Sequence, residues 1–292
     1  MDYAWYYGHK DLAYELLAAG AGDESLAEKV AAPELLAETV GAGEAKMFFL
    51  GHSGWAVKTE NHFLIFDYFC NTWEGSPDDS CMASGHIIPE MIKEENVTVF
   101  STHRHGDHFD RRIFSWQETI PDINYVLCWD AGDVGTDYTI IPVHENGQVD
   151  DMDIYVHHST DLDGGYLIEV DGLVILHMGD HSNGEDELMA EFTDEIDLIA
   201  DMNKDIDILF GGIRGCSLGE PEQVKQGLYY TLNELQPKLF IPMHSGGHTF
   251  AYKEFVETAE ADGITTRMKY TVHKGDRLDY KKRDSEVVSV LE

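Results

Sequence analysis

The residue types best suited to chemistry lie in one short stretch, Ser101-Thr102-His103-Arg104-His105-Gly106-Asp107-His108. Three imidazoles and one carboxylate fall within the six residues from His103 to His108, directly after an apolar run. A solvated face does not require that density, and an apolar core does not tolerate it without partners. Neutral imidazoles and carboxylates are the usual ligands of zinc and similar metals, so the stretch predicts a metal site. The alternative is an exposed polar loop that happens to be rich in histidine.

The spacing within this stretch predicts two adjacent metal positions. On an extended backbone, His103 and His105 point to the same side because side chains alternate with a period of two. Gly106 allows a sharp turn, so Asp107 and His108 can face a second position beside the first. One strand end could therefore hold two ions.

Strands and helices are both predicted around this stretch. Residues 46–69 contain three strand-like runs (KMFFL, GWAVKT and HFLIFDYF), and VTVFS leads into the histidines. Further along, GYLIEV and LVILH predict a hairpin around Asp171–Gly172, whereas DELMAEFTDEIDLIADMN and EQVKQGLYYTLNEL have helical patterns. Hairpins mixed with strand–helix–strand units predict an α/β fold with mixed sheets (α+β), not a purely parallel sheet.

The beginning of the chain has a different pattern. Residues 1–44 have helical patterns with stop signals at Gly20 and Gly41. We therefore predict an N-terminal helical extension over 1–44 and a single main domain over 45–292.

Composition narrows the classes of partner. With 20 basic and 55 acidic residues, the formal charge of the 292-residue chain is −35. Nucleic acid and anionic membranes are bound by clustered Lys and Arg, which this chain lacks, so neither partner is expected. The four cysteines are widely spaced, and no apolar run approaches the ~20 residues of a membrane span. No signal-peptide pattern is visible, so we expect a cytoplasmic protein that binds a small molecule; a homo-oligomer is compatible with the sequence.

Several motifs in the same order resemble the metallo-β-lactamase superfamily. Its hallmark is the HxHxDH motif, present here at 103–108. Leu50-Gly51-His52-Ser53, the strand-ending Asp67, Gly179-Asp180 and the strand-ending His244 look like the ascorbate-6-phosphate lactonase-like branch of cytoplasmic metal-dependent hydrolases. The resemblance extends from about residue 46 to 250. It implies a four-layered αββα sandwich with the site at one edge of the two sheets.

The resemblance also implies ligands for two divalent ions. They are His103 and His105 for the first ion, Asp107, His108 and His244 for the second, and Asp180 as a bridge between them. Zinc is favoured for these donors, and manganese and iron are also compatible with them.

The third histidine of the first position is the open question. The family usually has a His before Ser at this point, and Val156-His157-His158-Ser159 offers two. Strand alternation places His158 on the same face as Val156, and this parity selects His158. Related sequences with a Ser-Thr-Asp run here can lack the histidine, so loss of a ligand is compatible with the fold. His181, directly after Asp180, is a second departure; it is predicted to contact substrate, to replace the missing ligand or to lie exposed.

Other polar residues have weaker predicted roles. His52 is expected either to hydrogen-bond to a side chain that binds the metal or to be a turn histidine. Asp67 is expected either to orient the histidine cluster or merely to end a strand. Arg214 is predicted to orient an anionic substrate group, the alternative being a structural ion pair. His248 and Trp73 are predicted to line the mouth of the pocket.

These residues together predict hydrolysis. Two divalent ions sharing one water lower its pKa toward neutrality, and Asp107 is the predicted catalytic residue because it could take or relay a proton while acting as a ligand. The leading hypothesis is a dinuclear metal-dependent hydrolase of a small cytoplasmic molecule, with a lactone or other carboxylic ester favoured. Alternatives are a phosphodiesterase for a small phosphoester or nucleotide, a diiron redox protein and a non-catalytic metal-binding protein. Diiron centres in this fold have an acidic residue in place of the third histidine, usually beside a flavin domain.

Overall fold

The computed structural model describes residues 38–69, 85–215, 218–282 and 286–289. The predicted helical extension over 1–44 therefore lies almost entirely outside the described residues, as does Trp73. None of the helices in the described part has the length and apolar character that crossing a bilayer requires.

The described residues form fourteen strands, four α-helices and one 3₁₀ helix. The strands are β1 (Glu44–Gly51), β2 (Gly54–Lys58), β3 (Phe63–Phe66), β4 (Val97–Ser101), β5 (Asn124–Leu127), β6 (Thr139–Ile140), β7 (Asn146–Val149), β8 (Met152–His158), β9 (Gly164–Val170), β10 (Leu173–His177), β11 (Ile208–Gly212), β12 (Leu239–Met243), β13 (Arg277–Lys281) and β14 (Glu286–Ser289). The helices are α1 (Pro89–Ile92), the 3₁₀ helix (Arg111–Glu118), α2 (Ala190–Asp201), α3 (Pro221–Leu235) and α4 (Phe250–Ala261).

The strands form two mixed sheets. The first has the spatial order β14-β13-β1-β2-β3-β4-β5-β6, and the second has the order β12-β11-β10-β9-β8-β7. Antiparallel pairs such as β1–β2 and β8–β9 lie beside parallel pairs such as β3–β4 and β10–β11. The predicted mixed sheets are confirmed.

Alternating side chains in the first sheet divide between two apolar cores. In β1, Phe49 packs between the sheets, whereas its neighbour Phe48 packs on the outer face. Trp55 of β2 reaches across to Phe210 of β11, with ring centroids 5.0 Å apart. Successive side chains of a strand point to opposite faces, so a strand covered on both sides is apolar at nearly every position.

Helices cover the outer faces of both sheets. The 3₁₀ helix buries Ile113 and Trp116 in the outer core of the first sheet. Helices α2, α3 and α4 bury apolar side chains such as Phe192 and Leu228 in the core that contains the second sheet. The predicted four-layered αββα sandwich is confirmed.

Chain segments from both sheets meet at one edge of the sandwich. There, the hydroxyl of Tyr166 in β9 donates a hydrogen bond to the carbonyl of Ser101 at the end of β4, over 2.6 Å. The main-chain N–H of His244, just after β12, donates to the carbonyl of His52 in the β1–β2 turn over 3.0 Å. These bonds join the loops that carry most of the predicted site residues.

Candidate metal centre

The carboxylate of Asp67 accepts hydrogen bonds from both ends of the histidine-rich loop, at Thr102 and at His108. Asp67 follows β3 and is completely buried. It accepts hydrogen bonds from the main-chain N–H and the hydroxyl of Thr102, each over 2.8 Å, and from Nδ1 of His108 over 2.7 Å. Burial alone would raise the pKa of Asp67, but His108 beside it outweighs that effect and holds this pKa below its ordinary value. The structure therefore places Asp67 where the sequence predicted, orienting the histidine cluster.

These hydrogen bonds fix the tautomers of His103 and His108. The hydroxyl proton of Thr102 goes to Asp67, so its oxygen accepts from Nδ1 of His103, which lies 3.1 Å away. Nδ1 of His108 donates to Asp67. Burial would lower the pKa of His108, but the carboxylates of Asp180 and Asp67 on either side of it raise this pKa well above its ordinary value. When such a histidine binds a metal as a neutral imidazole that donates from Nδ1, it keeps a lone pair on Nε2, and the second hydrogen bond is typical of metal-binding histidines.

His244 is oriented in the same way from the other sheet. It follows β12 in the left-handed region (φ 60°), and its Nδ1 lies 3.0 Å from the carbonyl oxygen of Arg214. The carbonyl can only accept, so Nδ1 donates and Nε2 again keeps a lone pair.

Asp180 lies at the centre of these three imidazoles. Its side chain is 3% exposed, and its oxygens lie 3.2 Å from Nε2 of His108, 3.2 Å from Nε2 of His244 and 3.8 Å from Nε2 of His103. Gly179 before it has φ +57°, and a Cβ there would come within 3.1 Å of the carbonyl oxygen of Gly164. Burial would raise the pKa of Asp180, but His108 and His244 hold it well below its ordinary value.

The facing atoms of this cluster lack hydrogen bonds. Among the described residues, Nε2 of His103, His108 and His244 and Oδ1 of Asp180 are buried without a hydrogen-bond partner. Buried polar atoms are seldom left unpaired, and a cation between these lone pairs and carboxylates would satisfy all of them. The donor set therefore fits divalent metal ions.

The candidate ligand atoms form three overlapping groups. One consists of His103, His105 and Asp161, a second of His52, Asp107, His108 and His244, and a third, which joins the other two, of His103, His108 and Asp180; the ligand atoms in each group lie within 4.8 Å of one another. Six of the seven predicted ligands are thus brought together, and the seventh, His158, is not.

The prediction of His158 as the third histidine is corrected by its position. Its Nε2 lies 3.2 Å from Oε1 of Glu191, and its main-chain N–H donates to Glu195, both on α2. The parity argument holds for Val156, which lies opposite Tyr166 and shares its face toward the first sheet. It failed for His158, because this last residue of β8 departs from the alternation and turns its side chain toward α2.

Asp161 occupies the place predicted for that histidine. Its Oδ2 lies 3.1 Å from Nδ1 of His105 and 3.7 Å from Nε2 of His103. After β8 the chain turns, with the main-chain N–H of Asp161 donating to the hydroxyl of Ser159 over 3.2 Å, so Asp161 points back to the cluster. Burial raises the pKa of its carboxyl group. The available signal was an acidic residue in a Ser-x-Asp turn directly after the strand.

His181 does not reach the cluster. Its ring stacks on Phe192 of α2 with centroids 4.7 Å apart, and its Nε2 lies 3.2 Å from the Phe192 carbonyl oxygen. The prediction that His181 lies exposed is wrong, because its side chain is buried beneath α2. Its predicted roles as a substrate contact or a replacement ligand stay predictions.

His52 has the opposite tautomer to the other cluster histidines. Its Nδ1 accepts from the main-chain N–H of Gly246 over 3.3 Å, so its proton lies on Nε2, 3.4 Å from Oδ2 of Asp107. Burial lowers the pKa of His52 to about 4, so this imidazole is neutral. His52 is thus positioned to orient Asp107 rather than to bind an ion through Nε2, in line with the predicted outer role.

Asp107 is an ionised carboxylate at the opening of the cluster. Its side chain is 15% exposed. Burial would raise its pKa, but His52, whose Nε2 lies 3.4 Å away, and the charge of His108 bring the pKa below its ordinary range.

The remaining predicted residues lie outside the ligand groups. Arg214 contributes its carbonyl to His244, whereas His248 is exposed, with its ring 5.6 Å from that of Phe250. Their predicted contacts with substrate remain predictions.

Residues 46–244 match the profile of the beta-lactamase superfamily domain. Because this match covers most of the chain, the protein belongs to the metallo-β-lactamase superfamily. No curated protein sequence matches the chain.

Solved structures with the same fold include hydrolases and an oxidative enzyme. A metallo hydrolase from Ignicoccus hospitalis is 17% identical, with a TM-score of 0.60 over 82% of this chain and 99% of that one. An isothiocyanate hydrolase from Delia radicum gut bacteria is 16% identical, with a TM-score of 0.52 over 78% of this chain and 97% of that one. CmlA, a diiron β-hydroxylase from Streptomyces venezuelae, is 12% identical, with a TM-score of 0.54 over 84% of this chain and 54% of that one. At these identities the likeness shows the fold, and the ascorbate-6-phosphate lactonase-like branch stays a prediction.

Proposed function

We propose that the protein is a dinuclear metal-dependent hydrolase of a small cytoplasmic molecule, with a lactone or another carboxylic ester favoured. The observation that carries this proposal is the set of buried imidazole and carboxylate atoms that face one another around Asp180 without hydrogen bonds. The first ion would be held by His103, His105 and Asp161, the second by Asp107, His108 and His244, and Asp180 would lie between them. Two divalent ions lower the pKa of a shared water and stabilise negative charge that develops on the substrate.

The side chains around the ions would position and move protons. Asp107 lies at the opening of the cluster, so it is placed to accept a proton during the reaction. The Nε2–H of His52 would hold its carboxylate in one orientation. Asp67 would keep His108 in the tautomer with a free Nε2.

The charge of the chain supports a small substrate. With 55 acidic and 20 basic residues, the chain has a net charge of −35, which disfavours binding of a long polyanion. Lactones, carboxylic esters and small phosphodiesters are compatible with this charge, and a substrate panel separates them.

The test combines substrate hydrolysis with metal content in two histidine variants. In His105→Ala we expect hydrolysis of the best substrate to fall by at least about a hundredfold, because a ligand is lost, and the bound metal to fall below two ions per chain. His144→Ala is the matched control, since His144 is an exposed histidine outside the ligand groups and without a predicted role in the site. Full activity in His105→Ala, or wild-type protein that binds no metal, would refute the proposed hydrolase.

One observation favours a diiron redox protein as a second candidate. Asp161 stands in the first position where a third histidine was predicted, and the structurally similar CmlA is a diiron enzyme. Iron found in protein purified without oxygen, with an absorption band that appears on exposure to air, would support this candidate. Colourless protein containing zinc or manganese would count against it.

A further inference from the structure

We infer that Asp161 is a metal ligand that gives the first position the same donor set as the second, and that it shifts this position toward manganese(II) and iron(II) compared with a third histidine. The inference rests on the proposed function, because it concerns one of the two proposed metal positions.

The contacts of Asp161 are those of a ligand rather than of a salt-bridge partner. Its Oδ2 lies 3.1 Å from Nδ1 of His105 and 3.7 Å from Nε2 of His103. Among the described residues, this buried oxygen has no hydrogen-bond partner, and neither has Nε2 of His103. An oxygen close to two imidazole nitrogens, without the alignment of a hydrogen bond to either, is placed for all three to share a cation.

The loop that carries Asp161 is fastened to the loop that carries Asp180. The hydroxyl of Thr160 donates to the carbonyl of Ser182 over 2.8 Å and accepts from the Ser182 N–H over 2.9 Å. The main-chain N–H of Ser159 donates to the carbonyl of Asp163 over 3.2 Å and closes the turn. A ligand held in this way needs little reordering to bind, as a preorganised site requires.

With Asp161 as a ligand, the two metal positions have the same set of protein ligands, namely two histidines and one carboxylate. The first has the imidazoles of His103 and His105 with the carboxylate of Asp161, and the second has those of His108 and His244 with the carboxylate of Asp107. Because the Nε2 proton of His52 faces Asp107, His52 does not add a third imidazole to the second position. Asp180 lies between the two sets.

This donor set differs in chemistry from three histidines. Carboxylates suit manganese, imidazoles suit zinc, and two histidines with one carboxylate are the ligand set of many non-haem iron(II) sites. A third carboxylate also neutralises more of the charge of two divalent ions. Zinc binds a given nitrogen and oxygen site more tightly than manganese does. The effect expected of Asp161 is therefore a change in the ratio of the Zn²⁺ affinity to the Mn²⁺ affinity.

The experiment compares two matched variants of the same loop. Asp161→Asn and Asp163→Asn each remove one negative charge from a partly buried carboxyl group of that loop, but only Asp161 lies in a ligand group. Metal-free protein is titrated with Mn²⁺ and, separately, with Zn²⁺, and bound ions per chain are counted by elemental analysis. We expect Asp161→Asn to weaken one of the two Mn²⁺ sites by about tenfold or more, and Asp163→Asn to keep both.

Asp161→His tests the preference directly and does not depend on the behaviour of the Asn variant. We expect it to raise the ratio of Zn²⁺ to Mn²⁺ affinity at one site by about tenfold or more. Unchanged binding of both ions in Asp161→Asn, or an unchanged affinity ratio in Asp161→His, would overturn the inference while leaving a two-metal hydrolase intact. Wild-type protein that binds no ion would instead overturn the proposed function, and this inference with it.

Discussion

The two metal positions share Asp180 but differ in their surroundings. In the second position His108 and His244 are completely buried, and each donates from Nδ1 to a fixed acceptor that follows the neighbouring strand of its own sheet. In the first position, the side chain of His105 is 44% exposed and that of Asp161 is 21% exposed. The second position is therefore built into the sandwich, whereas the first lies partly in a loop at the solvent side. We expect metal exchange and substrate entry on the side of the first position.

The largest effect is predicted for Asp67→Asn, which tests the buried second metal position. In Asp67→Asn, one of the two acceptor oxygens becomes an NH₂ donor, so the side chain cannot accept all three hydrogen bonds that Asp67 accepts from Thr102 and His108. An amide NH₂ that faces Nδ1 of His108 would move the imidazole proton to Nε2 and remove its lone pair. We expect metal affinity at the second position to fall by about 10- to 100-fold, measured by titration of the metal-free protein. Wild-type affinity would show that Asp67 does not control this tautomer.

An intermediate effect is expected in the pH dependence of stability. Burial lowers the pKa of His52 to about 4, against an ordinary value of 6.5. The unfolded chain therefore binds a proton at His52 between these values and the folded chain does not, so the free energy of unfolding falls as the pH drops from about 6.5 to about 4. Denaturant titrations of metal-free wild type and His52→Gln should show a weaker pH dependence in the variant. Identical slopes would mean that His52 is protonated in the folded protein.

The smallest effect is expected at His158, which sequence reasoning placed in the first position. Its side chain is 37% exposed and faces Glu191, whose side chain is 62% exposed. Such surface pairs contribute about 0–1 kcal/mol. We therefore expect His158→Ala to lower the free energy of unfolding by no more than about 1 kcal/mol, with metal content and hydrolysis unchanged. Loss of one ion per chain in this variant would restore His158 as a ligand in place of Asp161.

Much of the site could be predicted because its ligands follow strands with clear patterns. The HxHxDH stretch comes after the buried β4, and Asp180 and His244 come after the buried β10 and β12. A side chain just after a buried strand lies at the edge of the sheet, which is why these residues meet. The prediction failed at the end of β8, for His158 and Asp161, and after β10, for His181, all of which lie near strand ends or turns. Which of them faces the cluster depends on α2, a helix about 30 residues further along the chain.

The sequence by itself determined the fold class, through its alternation of strands and helices, and the histidine-rich loop, through the period of an extended backbone. Local geometry is enough for both, because neighbouring side chains are related by fixed distances and directions. Only the tertiary structure decided that Asp161 takes the place of a third histidine and that His52 keeps its proton on Nε2. Both outcomes depend on groups far away in the chain, namely Glu191 beside His158 and Gly246 beside His52. No spacing rule relates such groups until the two sheets have packed.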